Sequence, residues 1–527
     1  MPGEVSPQEL QNMLDGDAPF ALIDVREPGE YNSTHIPWSS VIPRRLLEFQ
    51  MADSVPHKGV PVVLCDDDGR RAALAAKTLE AMGYDKVSVL SGGINWWVSQ
   101  NHPTEWGSNV PSKDFGEMQE VVHHVPEIEA TELHKWQEEG KKLVILDTRT
   151  PEEYQRFCIP GGQSVPGGEL ALHITDITKD LDPDTTVVVN CAGRTRSIIG
   201  TRILQRMGVK NAVGLKNGTS GWVLAGYQLE TGADRVEMPE VSPDGLAAAE
   251  AYAARVGAED GVRQLNIEAL QEVMARRSSE TVYLVDVRAE DEFQAGHIPG
   301  FRWFPGGQVV QRSDDVAAVK NATIVFTCDK IARATMVASF YRQLGFKEVF
   351  AVDGGTSAWQ AASLGLEQGI PEPPVAGLDQ ARSQARMVSP QELKSAPNTK
   401  TIFVDTSQAF SRGHVPGGRW VPRSFLEFQI DGIAPSKTAP LAITCADGNL
   451  SILTSQTLRD LGYQDVSVLE GGMAAWRKAG LDIEEGLSGV TGPPTDMVLS
   501  GPDRNYADMM TYLRWETALG EKYETAG

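Results

Sequence analysis

Residues 186–208 read TVVVNCAGRTRSIIGTRILQRMG. A β-branched run ends in Cys191, a short loop holds Gly193, Arg194, Thr195, Arg196 and Ser197, and then Ile198, Ile199, Ile203, Leu204 and Met207 recur at helical spacing. The stretch predicts a strand, a tight loop and a helix with Gly208 as its C-cap. A sulfur between a strand end and a helix start meets backbone N–H groups and the positive end of the helix dipole. Both favour a thiolate and a bound anion.

The same arrangement recurs three more times, as VPVVLC at Cys65, ATIVFTC at Cys328 and PLAITC at Cys445. Upstream of each stands a short strand with an Asp: LIDVR (Asp24), LDTR (Asp147), LVDVR (Asp286) and FVDT (Asp405). Between them lies an acidic-aromatic stretch with a Pro/Gly turn: EYNSTHIPW, EYQRFCIPGG, EFQAGHIPG and AFSRGHVPGG. Downstream come SGGINWW, KNGTSGW, DGGTSAW and EGGMAAW. Asp to Cys is 41, 44, 42 and 40 residues, and Cys to the second residue of the closing pair (Gly93, Gly218, Gly355, Gly472) is 28, 27, 27 and 27. Trp97, Trp222, Trp359 and Trp476 each follow that Gly by four residues. Order and spacing repeat too closely for chance, so the chain is four copies of one unit.

Alternating short strands and helices predict an α/β fold in which each copy is a parallel sheet covered by helices on both faces. The copies fall at 1–104, 127–231, 264–370 and 386–486, with a tail at 487–527. The segments 105–126 and 232–263 and PEPPVAG (371–377) read as linkers, the second holding a capped Ala-rich helix, SPDGLAAAEAYAARVG. Tyr506, Met509, Met510, Leu513 and Trp515 predict a tail helix that docks on the body.

The charge balance narrows the function. Lys and Arg total 48 against 71 Asp and Glu, a net charge of -23, so a phosphate-backbone binder would oppose its own field and no nucleic-acid partner is expected. No window is apolar enough to span a membrane, and the first twenty residues hold no Lys, Arg or apolar core. Five cysteines without a CxxC pair fit neither a disulfide scaffold nor a zinc site, and suggest reduced thiols in a cytoplasm. His123 and His124 are adjacent and cannot share a helix face, so no metal is expected.

The order of Asp-bearing strand, H-I-P-G turn, strand-Cys-loop-helix and G-G-x-x-x-W turn resembles the rhodanese domain, and the chain resembles a tandem four-domain rhodanese-type sulfurtransferase over about 400 of its 527 residues. The resemblance implies an enzyme, thiosulfate sulfurtransferase-like, without a cofactor. A loop cysteine takes sulfane sulfur from thiosulfate or a related small anionic donor, holds it as a persulfide, and passes it to a thiol or cyanide acceptor.

Local charge ranks the four loops. Cys191 has two arginines and no acid, so it is the principal catalytic candidate, with Gly193, Arg194, Thr195, Arg196 and Ser197 expected to bind the donor and Ser197 to cap the helix. Cys328 is followed by Asp329 and Lys330, with Arg333 at the offset of Arg196. Cys445 has Leu450 at that offset and Ser407 where Arg26, Arg149 and Arg288 stand. The first loop, Cys65-Asp66-Asp67-Asp68-Gly69-Arg70-Arg71, reads as one residue longer. Its C-x5-R spacing resembles dual-specificity phosphatases, but three carboxylates would repel an anion and raise the thiol pKa, so this copy is expected to be degenerate. Asp147 with Arg149, and by analogy Asp24, Asp286 and Asp405, are expected to support the site through an ionic contact. Cys158 replaces His35, His297 and His414 of the other turns and reads as a substitution rather than a resolving thiol. The alternatives are a noncatalytic sulfur-relay or scaffold protein, and a phosphatase-like activity at the first copy.

Overall fold

The protein is described by a computed structural model over residues 2–524. Its four parallel sheets share one strand order. In the second domain the strands are Glu127–Ile128, Leu143–Asp147, Gln163–Ser164, Thr186–Asn190 and Ala212–Leu215, and across the sheet they run first, fifth, fourth, second, third. The other three domains repeat that order. Both faces are buried, as the near-continuous apolar strands require. Val187 and Val189 pack with Leu146, Ile174 and Leu204 on one face, while Val188 packs with Leu133, Ile145 and Trp222 on the other. The closing tryptophans anchor the cores. Each donates its ring N–H to a backbone carbonyl six residues ahead: Trp97 to Pro103, Trp222 to Gln228, Trp359 to Gly365 and Trp476 to Asp482.

The chain divides into two compact units, residues 1–108 with 372–498 and residues 109–371 with 499–527. The first unit pairs the first and fourth domains through reciprocal buried ion pairs. Arg44 reaches Glu427 at 2.8 Å and Arg423 reaches Glu48 at 2.6 Å, while Arg45 and Ser424 both donate to Glu27.

The second unit pairs the second and third domains by close backbone approach. A Cβ on Gly168 would lie 2.9 Å from the amide nitrogen of Gly307, so neither chain tolerates a side chain there. Arg333 crosses to Glu169 at 3.0 Å.

The linker helix Pro243–Glu259 forms as the sequence suggests, with Ser242 accepting the Gly245 amide. The earlier linker, read from its polar, Pro and Gly content without a helix, holds the 14-residue helix Val110–His123. Its buried face is Val110, Ser112, Lys113, Phe115, Gly116, Glu117 and Gln119. So polar a face leaves no apolar periodicity to read. The tail helix is Tyr506–Ala518, capped by Asn505, and it buries Met509, Leu513 and Glu516 in the second unit. No helix among the described residues is long and apolar enough to cross a membrane.

Candidate active site

Each candidate site lies where the fourth strand of a sheet runs into the following helix. The sheet ladder fixes which residue enters the loop. Asp147 lies opposite Asn190 and Asp286 opposite Thr327, so Cys191 and Cys328 are the first residues past the paired position. In the first domain Asp24 lies opposite Cys65 itself. Cys65 is therefore the counterpart of Asn190 and Thr327, and Asp66 stands at the cysteine position.

The closing turn gives the same assignment. Thr219 donates its amide to the Cys191 carbonyl, Thr356 to that of Cys328 and Met473 to that of Cys445, each at 2.9 Å, whereas Ile94 donates to Asp66 at 2.8 Å. This contact explains the paired glycines. Gly218 has φ +52°, and a Cβ on it would lie 2.1 Å from the Cys191 carbonyl oxygen. The first loop is thus not longer than the others, and the C-x5-R reading is corrected: Asp66 to Arg71 spans the same five steps as Cys191 to Arg196 and Cys328 to Arg333.

The Asp66 carboxylate fills the place an anion would take. It accepts the amides of Gly69, of Arg71 at 2.7 Å and of Ala72 at 3.3 Å. In the fourth domain the Cys445 sulfur accepts the equivalent amides of Gly448 at 3.1 Å and Ser451 at 3.4 Å. Cys65, behind this loop, is fully buried. Burial, then the Asp24 charge, push its thiol well above the ordinary range, with Asp66 and Asp67 adding to the effect.

A second correction concerns the fourth domain. Val404 donates to the Thr444 carbonyl as Val25, Thr148 and Val287 donate to Cys65, Asn190 and Thr327. Phe403 therefore stands at the position of Asp24, Asp147 and Asp286, and Asp405, not Ser407, stands at the arginine position. In the other three domains the expected ionic contact is present, with Arg26–Asp24 at 2.8 Å, Arg149–Asp147 at 2.8 Å and Arg288–Asp286 at 2.7 Å. Asp405 has no such arginine among the described residues and accepts the amides of Thr406 and Ala446 instead.

The loop arginine is held by a repeated clamp. Arg71 makes two bonds to Glu30, Arg196 two to Glu153 and Arg333 two to Glu292, all between 2.6 and 2.9 Å. In the fourth domain both partners are gone together: Leu450 replaces the arginine and Ala409 the glutamate. A buried charge left without its partner is costly, so losing the pair is easier than losing one member.

Cys191 is buried, and its thiol lies 3.5 Å from the Ser197 hydroxyl, which donates to the Arg194 carbonyl at 2.7 Å. Ser197 does not cap the helix as its sequence position suggests. The helix begins at Thr195 without a side-chain cap, and the Ser197 hydroxyl turns toward the sulfur. Burial raises the Cys191 pKa, against which Arg196, Ser197 and the Gly193 amide act. Burial pushes Cys445 up to about 11 and Cys328 up to about 12; beside Cys328, Asp329 offsets part of the help from Arg333.

Arg194 is held by carboxylates from outside the loop. It pairs with Glu117 at 2.6 Å and with Glu127 at 3.3 Å, carboxylates of the linker helix and of the first strand. Thr195 donates its hydroxyl to Glu516 of the tail helix at 2.8 Å. Nothing in the local sequence signals Glu117 or Glu516, which lie far along the chain.

Cys158 sits in the turn position of the histidines. Its backbone bridges to Glu230 as His35, His297 and His414 bridge to Glu105, Glu367 and Glu484. It packs with Tyr154 and Ala233, and burial raises its pKa.

Known proteins share this architecture. The profile of the Rhodanese-like domain matches residues 6–100, 129–225, 269–362 and 389–479. The structure superposes on a thiosulfate sulfurtransferase from Pseudomonas aeruginosa with a TM-score of 0.90 and 35% identity, covering 99% of this chain and 98% of that one. A thiosulfate sulfurtransferase of Azotobacter vinelandii is 24% identical over 260 residues, 42% of this chain and 94% of its own. The thiosulfate:glutathione sulfurtransferase of Saccharomyces cerevisiae is 33% identical over 94 residues, 16% of this chain and 68% of its own. The chain spans only 25% of the length of MoeZ of Mycobacterium tuberculosis, a probable adenylyltransferase/sulfurtransferase that is 33% identical over 100 residues, 19% of this chain. With the domain profile matching four times and the ladder and closing turn repeating in each copy, the chain belongs to the rhodanese family.

Proposed function

We propose that the protein is a sulfurtransferase whose principal carrier is Cys191. The observation that carries this reading is the setting of its sulfur: a strand-to-helix loop with the Ser197 hydroxyl at 3.5 Å and Arg196 as the leading influence favouring thiolate. The Cys191 thiolate attacks the outer sulfur of thiosulfate or a related small anionic donor. A bond forms between the two sulfurs, the donor's own S–S bond breaks, and sulfite leaves with the electron pair. An acceptor thiolate or cyanide then attacks the outer sulfur of the persulfide, and the electron pair of the breaking bond returns to the Cys191 sulfur. Loop amides at the helix start stabilise each anionic sulfur in turn. The thiosulfate sulfurtransferases among the relatives support this donor class.

Cys445 is the second candidate, because two amides point at its sulfur, and Cys328 the third. The first domain carries no sulfur in this reading. Asp66 stands in the cysteine place and takes the amides that phosphate would need, which also removes the basis for a phosphatase.

The deciding experiment treats the full chain and its single Cys→Ser variants with thiosulfate and reads the intact mass. Cys191→Ser should lose the added mass of one sulfur atom and most transfer activity. Activity within twofold of the parent would refute the assignment.

A further inference from the structure

Both arginines of the Cys191 loop are committed to carboxylates, Arg194 to Glu117 and Glu127, Arg196 to Glu153. An anionic donor entering this site therefore meets no uncommitted cation from the loop. One comes from the tail. The turn Gly501–Asp503 lies on the loop, since a Cβ on Gly501 would be 3.6 Å from the Ala192 Cβ and 3.8 Å from the Ser220 hydroxyl oxygen.

Arg504 follows directly. Its Nε donates to the Leu499 carbonyl at 2.7 Å, and its guanidinium stacks 4.0 Å from the centroid of the Tyr512 ring. No carboxylate of the described residues lies within ion-pair distance of it, and no hydrogen bond occupies its two terminal nitrogens. Tyr512 carries this cation to the site. Its ring Cε1 would lie 3.9 Å from a Cβ on Gly193, two residues past Cys191, and the Cys191 charge is among those its hydroxyl feels. Lys113 adds a second cation 5.0 Å from the same ring. Glu516 opposes them with one negative charge: Thr195 donates to its Oε1, while its Oε2, which no hydrogen bond of the described residues occupies, would lie 3.4 Å from a Cβ on Gly193.

We propose that Arg504 of the C-terminal segment binds the oxyanion end of the sulfur donor at the Cys191 site, and so selects anionic donors. The proposal rests on the sulfurtransferase reading for its ligand, though not for its charge. The planar guanidinium presents two free N–H donors to an oxyanion, and its stack on Tyr512 holds it in place without cancelling its charge.

The test compares alkylation of Cys191 in the full chain by iodoacetate, which is anionic, and by iodoacetamide, which is neutral and of similar size, with peptide mass spectrometry assigning the site. Arg504→Gln should lower the iodoacetate-to-iodoacetamide rate ratio at Cys191 at least fivefold, Arg504→Lys should retain most of it, and the thiosulfate KM of Arg504→Gln should rise at least fivefold. A residue that only packs the tail would change both alkylation rates together, and an unchanged ratio with an unchanged KM overturns the proposal. If Arg504→Gln does not fold, Arg504→Met, which keeps an apolar stem against Tyr512, decides by the same readout: an iodoacetate-to-iodoacetamide ratio lowered at least fivefold supports the proposal, and an unchanged ratio overturns it. Failure of the broader reading is separate, since it would show as activity surviving Cys191→Ser whatever the alkylation ratio.

Discussion

Asp66 of the first domain and Cys445 of the fourth each accept backbone amides from the residues three and six positions ahead: Gly69 and Ala72 in one case, Gly448 and Ser451 in the other. One loop cradles its own carboxylate and the other a sulfur. The first domain is therefore built like a site already occupied by its anion.

This makes the first domain testable by labelling. At pH 7, Cys65 should react with iodoacetamide more slowly than Cys191, because burial and three nearby carboxylates hold it as thiol. The thiol introduced by Asp66→Cys should react faster than Cys65, since it would receive the freed amides. No turnover of aryl phosphates is expected from either protein. Equal labelling of Cys65 and Cys191 would contradict the assignment.

The Cys191 thiol sits above its ordinary pKa because of burial. Below that pKa each pH unit multiplies the thiolate fraction by about ten. The rate of Cys191 alkylation should therefore keep climbing from pH 7 to pH 9 without reaching a plateau. A plateau below pH 8 would mean that the thiolate is stabilised by something beyond Arg196, Ser197 and the loop amides.

Arg196 acts on both the sulfur and Glu153. Arg196→Ala should slow Cys191 alkylation at pH 7 on the order of tenfold, the effect of about one pKa unit, and should raise the thiosulfate KM several-fold. The first effect is measured without turnover. If only the KM changes, Arg196 binds donor and does not tune the thiol.

The reciprocal pairs Arg44–Glu427 and Arg423–Glu48 are buried on both sides. Arg423→Met would strand Glu48 and should cost about 3 kcal/mol in chemical denaturation of the first unit. The double variant Arg423→Met, Glu48→Leu should recover most of that loss, because it removes both charges at once. Equal instability of the single and double variants would show that packing, not charge, sets the cost.

The repeat, its parallel α/β class and the three loops at Cys191, Cys328 and Cys445 are legible in the sequence because each rests on local spacing, whereas the strand order rests on pairing between distant segments. Two positions are disguised by look-alike residues one or two places off register. Cys65 adjoins the true position, and Asp405 lies two residues past Phe403. Constant spacing holds the signal: 42 residues from Asp24 to Asp66, from Asp286 to Cys328 and from Phe403 to Cys445, and 27 from each loop position to the second residue of the closing pair. Glu117, Arg504 and Glu516 were not legible at all. Glu117 and Glu516 reach the Cys191 loop through tertiary packing of two helices outside the repeat, Arg504 precedes one of these and stacks on its Tyr512, and the buried face of the other is largely polar.

The nesting of the two units bears on how the chain is made. Residues 109–371 separate the halves of the first unit. At roughly 5–20 residues per second of synthesis, the first domain emerges from the ribosome about 13 to 53 s before its partner begins to appear. For that interval Arg44 and Glu48 face water rather than their mates Glu427 and Arg423, while Arg45 and Glu27, both of the first domain, already have each other. A waiting surface built of charges stays hydrated, where an apolar one of the same extent would invite aggregation. The reciprocal ion pairs thus suit a domain that must wait in solution before it finds its counterpart on the same chain.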